Sequence, residues 1–400
     1  VSRMSLKNVY CRAYQVCFAV GARLLPWRRP ECITGLGSFA RVPSLLAERG
    51  VRKPLIVASR RQSQTPAFQE MLGHLAGWSL YTGVKANPRV ETVEAIAAQY
   101  RRSGCDGFVA VGGGSPMDAA KAAAALLVRP NRSLSSLAGL LKVRRRIPPF
   151  IAVPTTAGTG SETTIAAVIT GRDHRKYAVS DLCLIPRYAI LDPTLSAGLP
   201  PHITAETGMD ALTHAVEAYL SRFYNTRKTR EQAERAVVTI FSHLERAYRD
   251  GASLPDRAAM LQASFDAGAA FTRASVGNVH AIAHTLGGLY GTAHGLANAV
   301  LLPIVLEDYG AAAYPRLARL AHLVGIQEAS AEASARAFIA EIRAMNARMG
   351  IPDHFDCIRS EDIPLMASWA CREANPVYPV PVIYDQARFA RVIERSRAEP

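Results

Sequence analysis

The chain has 400 residues, enough for two or three domains at about 150 residues each. Hydrophobic residues make up 49% and charged residues 20%, which excludes intrinsic disorder, collagen and a coiled coil. No apolar run approaches the roughly 20 residues of a membrane span. The net charge of +14 comes mostly from arginine, but basic runs such as Arg144–Arg146 are short and lack aromatic neighbours. Solvated basic faces are therefore favoured, and we predict no nucleic-acid partner.

The cysteines and the N-terminal segment bear on the cellular compartment. The seven cysteines are odd in number and form no Cys-x-x-Cys pair, which predicts a reducing, cytoplasmic location. Residues 8–27 are apolar with interspersed arginines, and they lack the uninterrupted apolar stretch of a signal peptide. We predict a surface-packed helix there, and attachment to a membrane surface is the less favoured alternative.

The first half of the chain alternates between two hydrophobic periods. Short apolar runs predict buried strands at 54–58, 79–83, 107–111, 149–153 and 188–191. Between them lie helical patterns such as 90–102, where Val90, Val93, Ile96 and Ala97 share one face. Strands that alternate with helices at this spacing predict a parallel sheet with crossover helices.

After the double proline at 200–201 the patterns become helical. Helices are predicted around 212–220 and 237–248, and over 256–271, 279–290, 315–324, 330–349, 361–374 and 385–396. The fold class is therefore an α/β N-terminal Rossmann-like domain with a parallel sheet, followed by an all-α C-terminal domain. The predicted boundaries are an N-terminal extension over 1–30, the α/β domain over 31–199 and the helical domain over 200–400.

Two glycine-rich segments follow predicted strands. In Gly112-Gly-Gly-Ser-Pro-Met-Asp-Ala-Ala-Lys121, Ser115 is placed to cap a helix whose first residue is Pro116. Glycines allow a close approach of the backbone, and a helix N-terminus favours a phosphate, although a tight structural turn is the alternative. Pro154-Thr-Thr-Ala-Gly-Thr-Gly-Ser-Glu162 follows another strand. Ligands bind at this edge of open α/β sheets, but the segment could also be a long surface loop.

A set of histidines in the helical half has the spacing of metal ligands. Asp210 and His214 are four residues apart, as are His280 and His284, and His294 lies ten residues further on. Residues at this spacing share one helix face. One carboxylate and several imidazoles suit Fe²⁺ or Zn²⁺. Any one of these pairs could be an ordinary hydrogen-bonded couple, but together they favour a metal site.

Taken in order along the chain, these motifs resemble the iron-containing alcohol dehydrogenase family. The resemblance rests on the two glycine-rich segments and on three further ones, which are Gly208-Met-Asp-Ala-Leu-Thr-His-Ala-Val-Glu217, His280-Ala-Ile-Ala-His-Thr-Leu-Gly-Gly288 and His294-Gly-Leu-Ala-Asn-Ala299. It extends from about Ile33 to the C-terminus. The dehydroquinate synthases, which are non-redox lyases, resemble this family in fold, so a lyase activity is the alternative function. A degenerate dinucleotide-binding protein is the rival outside enzymology.

The resemblance implies a role for each matching residue. The implied metal ligands are Asp210, His214, His280 and His294, with His284 as a non-ligand catalytic histidine near the nicotinamide and the substrate. The implied cofactor residues are Ser59, Asn87, Gly113, Gly114, Ser115, Asp118, Thr155, Thr156, Thr159 and Lys176. The implied reaction is hydride transfer between an alcohol or aldehyde and NAD or NADP, with the metal acting as a Lewis acid. A homodimer or larger homo-oligomer is also expected.

The sequence departs from the family pattern at three places. Ser59 with Arg60 and Arg61 replaces the acidic residue that many members carry after the first strand, which predicts tolerance of NADP. Ala166 replaces a common asparagine, so one cofactor contact is expected to be missing. Ala293 replaces the proline that usually precedes the last metal histidine, a change expected to affect loop stiffness alone.

Overall fold

The computed structural model describes residues 6–172 and 175–398. Its strands are β1 (Glu31–Thr34), β2 (Pro54–Ala58), β3 (Ser79–Tyr81), β4 (Gly107–Gly112), β5 (Gly139–Leu140), β6 (Phe150–Pro154), β7 (Ala166–Thr170), β8 (Lys176–Ser180) and β9 (Tyr188–Leu191). Its helices are α1 (Leu6–Arg23), α2 (Val42–Ala47), α3 (Arg60–Ser63), α4 (Pro66–Gly73), α5 (Val90–Arg102), α6 (Gly114–Val128), α7 (Pro201–Leu220), α8 (Arg227–Arg249), α9 (Leu254–Ala274), α10 (Asn278–Leu289), α11 (His294–Tyr309), α12 (Tyr314–Leu323), α13 (Ala331–Arg348), α14 (Ile363–Ala374) and α15 (Gln386–Arg395).

The contacts divide the chain into an α/β unit and a helical unit. The α/β unit comprises Pro26–Leu199 and Ala252–Gly268, and the helical unit comprises Val1–Leu25, Pro200–Gly251 and Ala269–Pro400. The sequence placed residues 252–268 in the helical domain, whereas the structure places them with the sheet. There, Leu261 and Phe265 of α9 pack on Ala189 and Leu191 of β9.

The α/β unit is built on a six-stranded sheet of order β1-β9-β6-β4-β2-β3, in which every pairing is parallel. Successive side chains of a strand point to opposite faces, so Leu55 and Val57 join one core and Ile56 and Ala58 the other. Burial on both faces explains why these strands read as continuous apolar runs in the sequence. The parallel sheet and the predicted fold class are confirmed.

A second, three-stranded sheet of order β5-β8-β7 was not predicted from the sequence. β7 and β8 pair antiparallel, and most residues of β8 are only half-buried. β8 lacks the continuous apolar run that identified the buried strands, whereas the apolar residues 166–169 of β7 were not recognised as a strand. The edge strand β1, with Ile33 as its only buried residue, escaped prediction for the same reason as β8.

The helical unit contains α7, α8 and α10–α15, joined by the N-terminal helix α1. α10 packs against α11 and α14, and α11 also packs against α7. The predicted surface-packed helix in the N-terminal extension is confirmed as α1, and residues 1–5 of that extension lie outside the described residues. Among the described helices, none combines the length and apolar composition needed to cross a membrane.

Helix α6 begins earlier than predicted. Gly113 is the N-cap residue and Gly114 opens the helix, so Ser115 and Pro116 are its second and third residues. The predicted capping role of Ser115 is therefore wrong. Gly112, with φ of 150°, makes the turn that lets the helix start at once. Pro116 is tolerated because N–H groups in a first helical turn have no intrahelical partner.

Candidate active site

Four side chains able to bind a metal ion converge in the helical unit. They are Asp210 and His214 of α7, His280 of α10 and His294 of α11, and their candidate ligand atoms all lie within 4.8 Å of one another. The first three are buried and His294 is half-buried. Burial lowers the pKa of His280 to about 3, so its ring is neutral and able to bind a metal. Three imidazole nitrogens and a carboxylate oxygen at this spacing fit Fe²⁺ or Zn²⁺.

Glu217 is the last residue of the α7 motif and is buried, and it orients His280. Its Oε2 lies 2.6 Å from Nδ1 of His280, and its carboxylate accepts the backbone N–H groups of Gly277 and Val279 at 2.8 Å each. Nδ1 of His280 therefore faces the carboxylate, which leaves Nε2 for the metal cluster. A Cβ on Gly277 would lie 2.7 Å from Oε1 of Glu217, so this contact requires glycine. Burial raises the pKa of Glu217 to about 7.

Asn298 lies within the same cluster. Its Nδ2 donates to Oδ1 of Asp210 at 2.6 Å and lies 3.2 Å from Nε2 of both His280 and His294. An amide N–H is matched to a nitrogen lone pair, so these contacts indicate that both imidazoles present lone pairs at this point. Asn298 is fully buried, one turn after His294 on α11.

His284 lies beside the cluster with a carboxylate partner of its own. Its ring is stacked on His294 at a centroid distance of 5.2 Å and meets His280 edge-on at 6.1 Å. Its Nδ1 lies 2.6 Å from Oε1 of Glu373, which also accepts the hydroxyl of Tyr378 at 2.7 Å. The structure thus separates His284, which is paired with Glu373, from the four candidate ligands.

The two glycine-rich segments meet in the α/β unit. A Cβ on Gly113 would lie 3.2 Å from Oγ1 of Thr156, and one on Gly114 would lie 2.9 Å from Cγ2 of Thr159. The backbone N–H of Thr155 donates to the carbonyl of Gly112 at 2.9 Å. Both segments follow the carboxyl ends of neighbouring strands, β4 and β6. With Ser115 in the first turn of α6, they form the glycine- and threonine-rich edge at which a dinucleotide phosphate would bind.

Asp118 and Lys121 tie these segments together from within α6. The carboxylate of Asp118 accepts the Ser161 hydroxyl at 2.7 Å and the backbone N–H of Val168 at 3.1 Å. The buried Nζ of Lys121 donates to the Thr164 carbonyl at 2.9 Å and its hydroxyl at 3.0 Å. Burial raises the pKa of Asp118 and lowers that of Lys121 to about 8. Lys121 was not predicted as a site residue from the sequence, although it lies three residues after Asp118 and so on the same helix face.

The remaining predicted cofactor residues lie on other elements of the α/β unit. Ser59 follows β2, where its hydroxyl oxygen caps α3 by accepting the N–H of Gln62 at 3.2 Å. Asn87 has a φ of 55°, and its carbonyl accepts the Thr170 hydroxyl at 3.5 Å. Lys176 begins β8, opposite Thr170 in the β7–β8 register. The structure therefore brings the glycine and threonine residues into contact, whereas Ser59, Asn87 and Lys176 lie on separate elements and make other contacts.

Comparison with known proteins agrees with this geometry. The family model "Iron-containing alcohol dehydrogenase" matches residues 30–193, and "Fe-containing alcohol dehydrogenase family, C-terminal" matches residues 204–394. The chain is 39% identical to the 1,3-propanediol dehydrogenase of Klebsiella pneumoniae over 348 residues, which are 83% of this chain and 89% of that protein. It is 34% identical to the NAD-dependent methanol dehydrogenase of Bacillus methanolicus over 360 residues, 87% of this chain and 94% of that protein. A crystal structure of 1,3-propanediol oxidoreductase is similar with a TM-score of 0.88 and 34% identity, covering 94% of this chain and 100% of that one.

The chain therefore belongs to the iron-containing alcohol dehydrogenase family. Its activity is that of a metal-dependent alcohol dehydrogenase or aldehyde reductase, which transfers a hydride between an alcohol carbon and a nicotinamide dinucleotide. Its substrates are small molecules of the alcohol and aldehyde classes.

Proposed function

We propose that Asp210, His214, His280 and His294 hold the catalytic divalent ion. The observation that carries this proposal is the convergence of four ligand atoms within 4.8 Å, three of them from buried side chains. Glu217 supports it by fixing the ring of His280, and Asn298 by holding Oδ1 of Asp210. When bound, the ion supplies Lewis acidity, which makes an alcohol easier to deprotonate.

His284 is the residue that moves a proton in this proposal. During alcohol oxidation its Nε2 accepts the hydroxyl proton of the substrate, and during aldehyde reduction it returns a proton to the product oxygen. A position beside His280 and His294, at 6.1 and 5.2 Å between ring centroids, supports this assignment. The carboxylate of Glu373 favours the imidazolium that forms when Nε2 gains the proton.

The glycine-rich edge of the α/β unit binds the dinucleotide in this proposal. Gly113, Gly114 and Ser115 at the start of α6 take the pyrophosphate, since a helix N-terminus offers free N–H groups. Thr155, Thr156 and Thr159 lie against this turn and take the ribose and nicotinamide. Direct cofactor contacts of Asn87 and Lys176 stay predictions. Asp118 supports binding by holding Ser161, through a 2.7 Å hydrogen bond.

We propose short aliphatic alcohols and diols, with the corresponding aldehydes, as substrates. The names of the propanediol and methanol dehydrogenases among its relatives support this class. The test is a panel of methanol, ethanol, 1,2-propanediol and 1,3-propanediol, assayed for reduction of NAD⁺ and NADP⁺ by protein loaded with Fe²⁺ or Zn²⁺. No alcohol-dependent reduction with any combination would contradict the proposal.

We further propose that the protein is cytoplasmic and forms a homodimer or a larger homo-oligomer. Seven free cysteines in the described part of the chain support a reducing compartment. Exposed apolar side chains along α1, such as Leu6, Tyr10 and Val20, support contact with a second copy. Light scattering on the purified protein tests the assembly, and a monomeric mass at micromolar concentration would contradict it.

A further inference from the structure

Glu373 lies in the last turn of α14, a position where a carboxylate destabilises the helix that carries it. It is the penultimate residue of α14, and the C-terminal end of a helix carries partial negative charge. An acidic side chain there is therefore less favourable than a neutral one. Its side chain is only 30% exposed, so water does not fully solvate the charge. The local structure of α14 therefore gives no reason for a glutamate at this position.

The contacts of Glu373 supply the reason. Its Oε1 accepts hydrogen bonds from Nδ1 of His284 at 2.6 Å and from the hydroxyl of Tyr378 at 2.7 Å. Burial acts to raise the pKa of Glu373, but its interactions with His284 and Tyr378 outweigh burial and lower it. Because the hydroxyl of Tyr378 donates to Oε1, this oxygen acts as an acceptor at the point where it meets His284. A hydrogen bond to this oxygen needs a proton on Nδ1 of His284, and in the neutral imidazole the lone pair is then on Nε2.

Tyr378 is itself held in place. Its backbone N–H donates to the carbonyl of Ala374 at 2.7 Å, and its own carbonyl accepts the buried side-chain amide of Gln15 at 2.8 Å. Burial also holds the pKa of Tyr378 well above its usual range, so its hydroxyl stays a donor. The position of the carboxylate is thus fixed from two sides, by His284 on α10 and by the segment that follows α14.

We propose that Glu373 is a positioning residue for the reaction, which holds His284 in one ring orientation as the Nδ1-protonated tautomer. This inference rests on the proposed proton-transfer role of His284. It assigns Nε2 of His284 as the atom that accepts the substrate hydroxyl proton, and the positive charge formed on the ring is then balanced by Glu373. Carboxylate partners of metal-bound histidines change activity by about 10–100-fold when they are removed, and we expect a similar loss for this catalytic histidine.

The kinetic test compares Glu373→Ala with His284→Ala and with the double variant. We expect Glu373→Ala to lower kcat about 10–100-fold with little change in KM, while metal content and the thermal midpoint hold. Because Glu373 acts through His284, the double variant should be no slower than His284→Ala alone. Glu373→Asp should recover part of the loss, and Arg372→Ala, which changes the exposed neighbour on the same helix, should leave kcat unaltered. A double variant that is slower by a further tenfold would overturn the inference.

A measurement independent of turnover uses protein with ¹⁵N-labelled histidine. The His284 resonances, assigned by their loss in His284→Ala, should report a protonated Nδ1 in the parent and a mixture of tautomers in Glu373→Ala. If Glu373→Ala does not fold, Tyr378→Phe is the alternative variant, expected to shift the same resonances in the same direction by less. An unchanged tautomer would overturn the inference. An inactive parent with the expected resonances would instead contradict the proposed function and leave the positioning of His284 supported.

Discussion

At the scale of single residues, the structure pairs two neighbouring histidines with two different carboxylates. His280 is paired with Glu217 and His284 with Glu373, each at 2.6 Å. The spacing of the histidines could be read from the sequence, and it favoured a metal site. Their partners could not, because they lie 63 and 89 residues away along the chain. Only the packing of α10 against α14, and of α7 near it, brings such distant residues together.

This division predicts different outcomes for two alanine variants. His280→Ala should lose both the metal and the activity, because it removes one of four ligand atoms. His284→Ala should keep the metal while kcat falls by about 10²–10⁴-fold, the usual range for a lost general acid or base. Metal content per chain and steady-state rates measured on the same samples decide the matter. Full metal occupancy in His280→Ala would remove it from the ligand set, and metal loss in His284→Ala would contradict our assignment of roles.

Glu162 predicts a pH dependence of stability. It is 1% exposed, and burial raises its pKa to about 7 from an unfolded value of 4.5. Between these values the folded chain binds more protons than the unfolded chain, so stability falls as the pH rises through this window. The buried charge therefore costs up to about 3 kcal/mol at pH 8, at about 1.4 kcal/mol per pKa unit.

Replacing this carboxylate by an amide should remove that cost. Glu162→Gln should unfold at a higher urea concentration than the parent at pH 8, and the two midpoints should converge near pH 4. The exposed Glu91→Gln serves as the control and should match the parent at both pH values. A Glu162→Gln variant no more stable than the parent at pH 8 would contradict the prediction.

At the scale of elements, the pattern of buried residues in each strand or helix determined whether it could be predicted from the sequence. Strands buried on both faces carry continuous apolar runs and amphipathic helices such as α5 carry a helical period, and the sequence identified both. α11 was not identified, because its residues from Ala297 to Leu306 are all buried and no polar face marks a helical period. It nevertheless carries His294 and Asn298. A Cβ on Gly295 would lie 2.4 Å from the carbonyl of Glu206, so glycine is required for α11 to approach α7 and bring His294 to Asp210.

The turn between β4 and α6 carries a prediction about the cofactor. Gly113 has a φ of −78°, so a larger residue meets no backbone strain, but its Cβ would lie 3.2 Å from Thr156. Gly113→Val should therefore separate the two glycine-rich segments and weaken NAD⁺ binding by tenfold or more, while metal content holds. Gly73→Val is the matched control, since nothing lies within 4 Å of a Cβ at this glycine. Fluorescence titration with NADH measures the dinucleotide affinity of both variants. Unchanged affinity in a folded Gly113→Val variant would move the pyrophosphate site elsewhere.

At the scale of the whole molecule, the chain carries a net charge of +14. A positive field favours any anionic cofactor, so it does not by itself separate NAD from NADP. Discrimination must come from groups near the adenosine ribose, where a carboxylate would repel a 2′-phosphate. Ser59, at the end of β2, offers no such repulsion, and its hydroxyl proton is still available because its oxygen accepts from Gln62.

The two neighbouring arginines differ in the structure. Both arginines are exposed, but Nη2 of Arg61 donates to the carbonyl of Gly198 at 2.8 Å, whereas the Arg60 guanidinium has no hydrogen-bond partner among the described residues. Arg60 is thus the better candidate for a 2′-phosphate contact, and charge-assisted hydrogen bonds of this kind contribute about 1.5–3 kcal/mol. We expect NADP(H) to be used at least as well as NAD(H), Ser59→Asp to lower kcat/KM for NADPH by tenfold or more, and Arg60→Ala to lower it by less. Values of kcat/KM with both cofactors for the parent and the two variants provide the test. A tenfold native preference for NAD(H), or undiminished use of NADPH by Ser59→Asp, would contradict the assignment of this site.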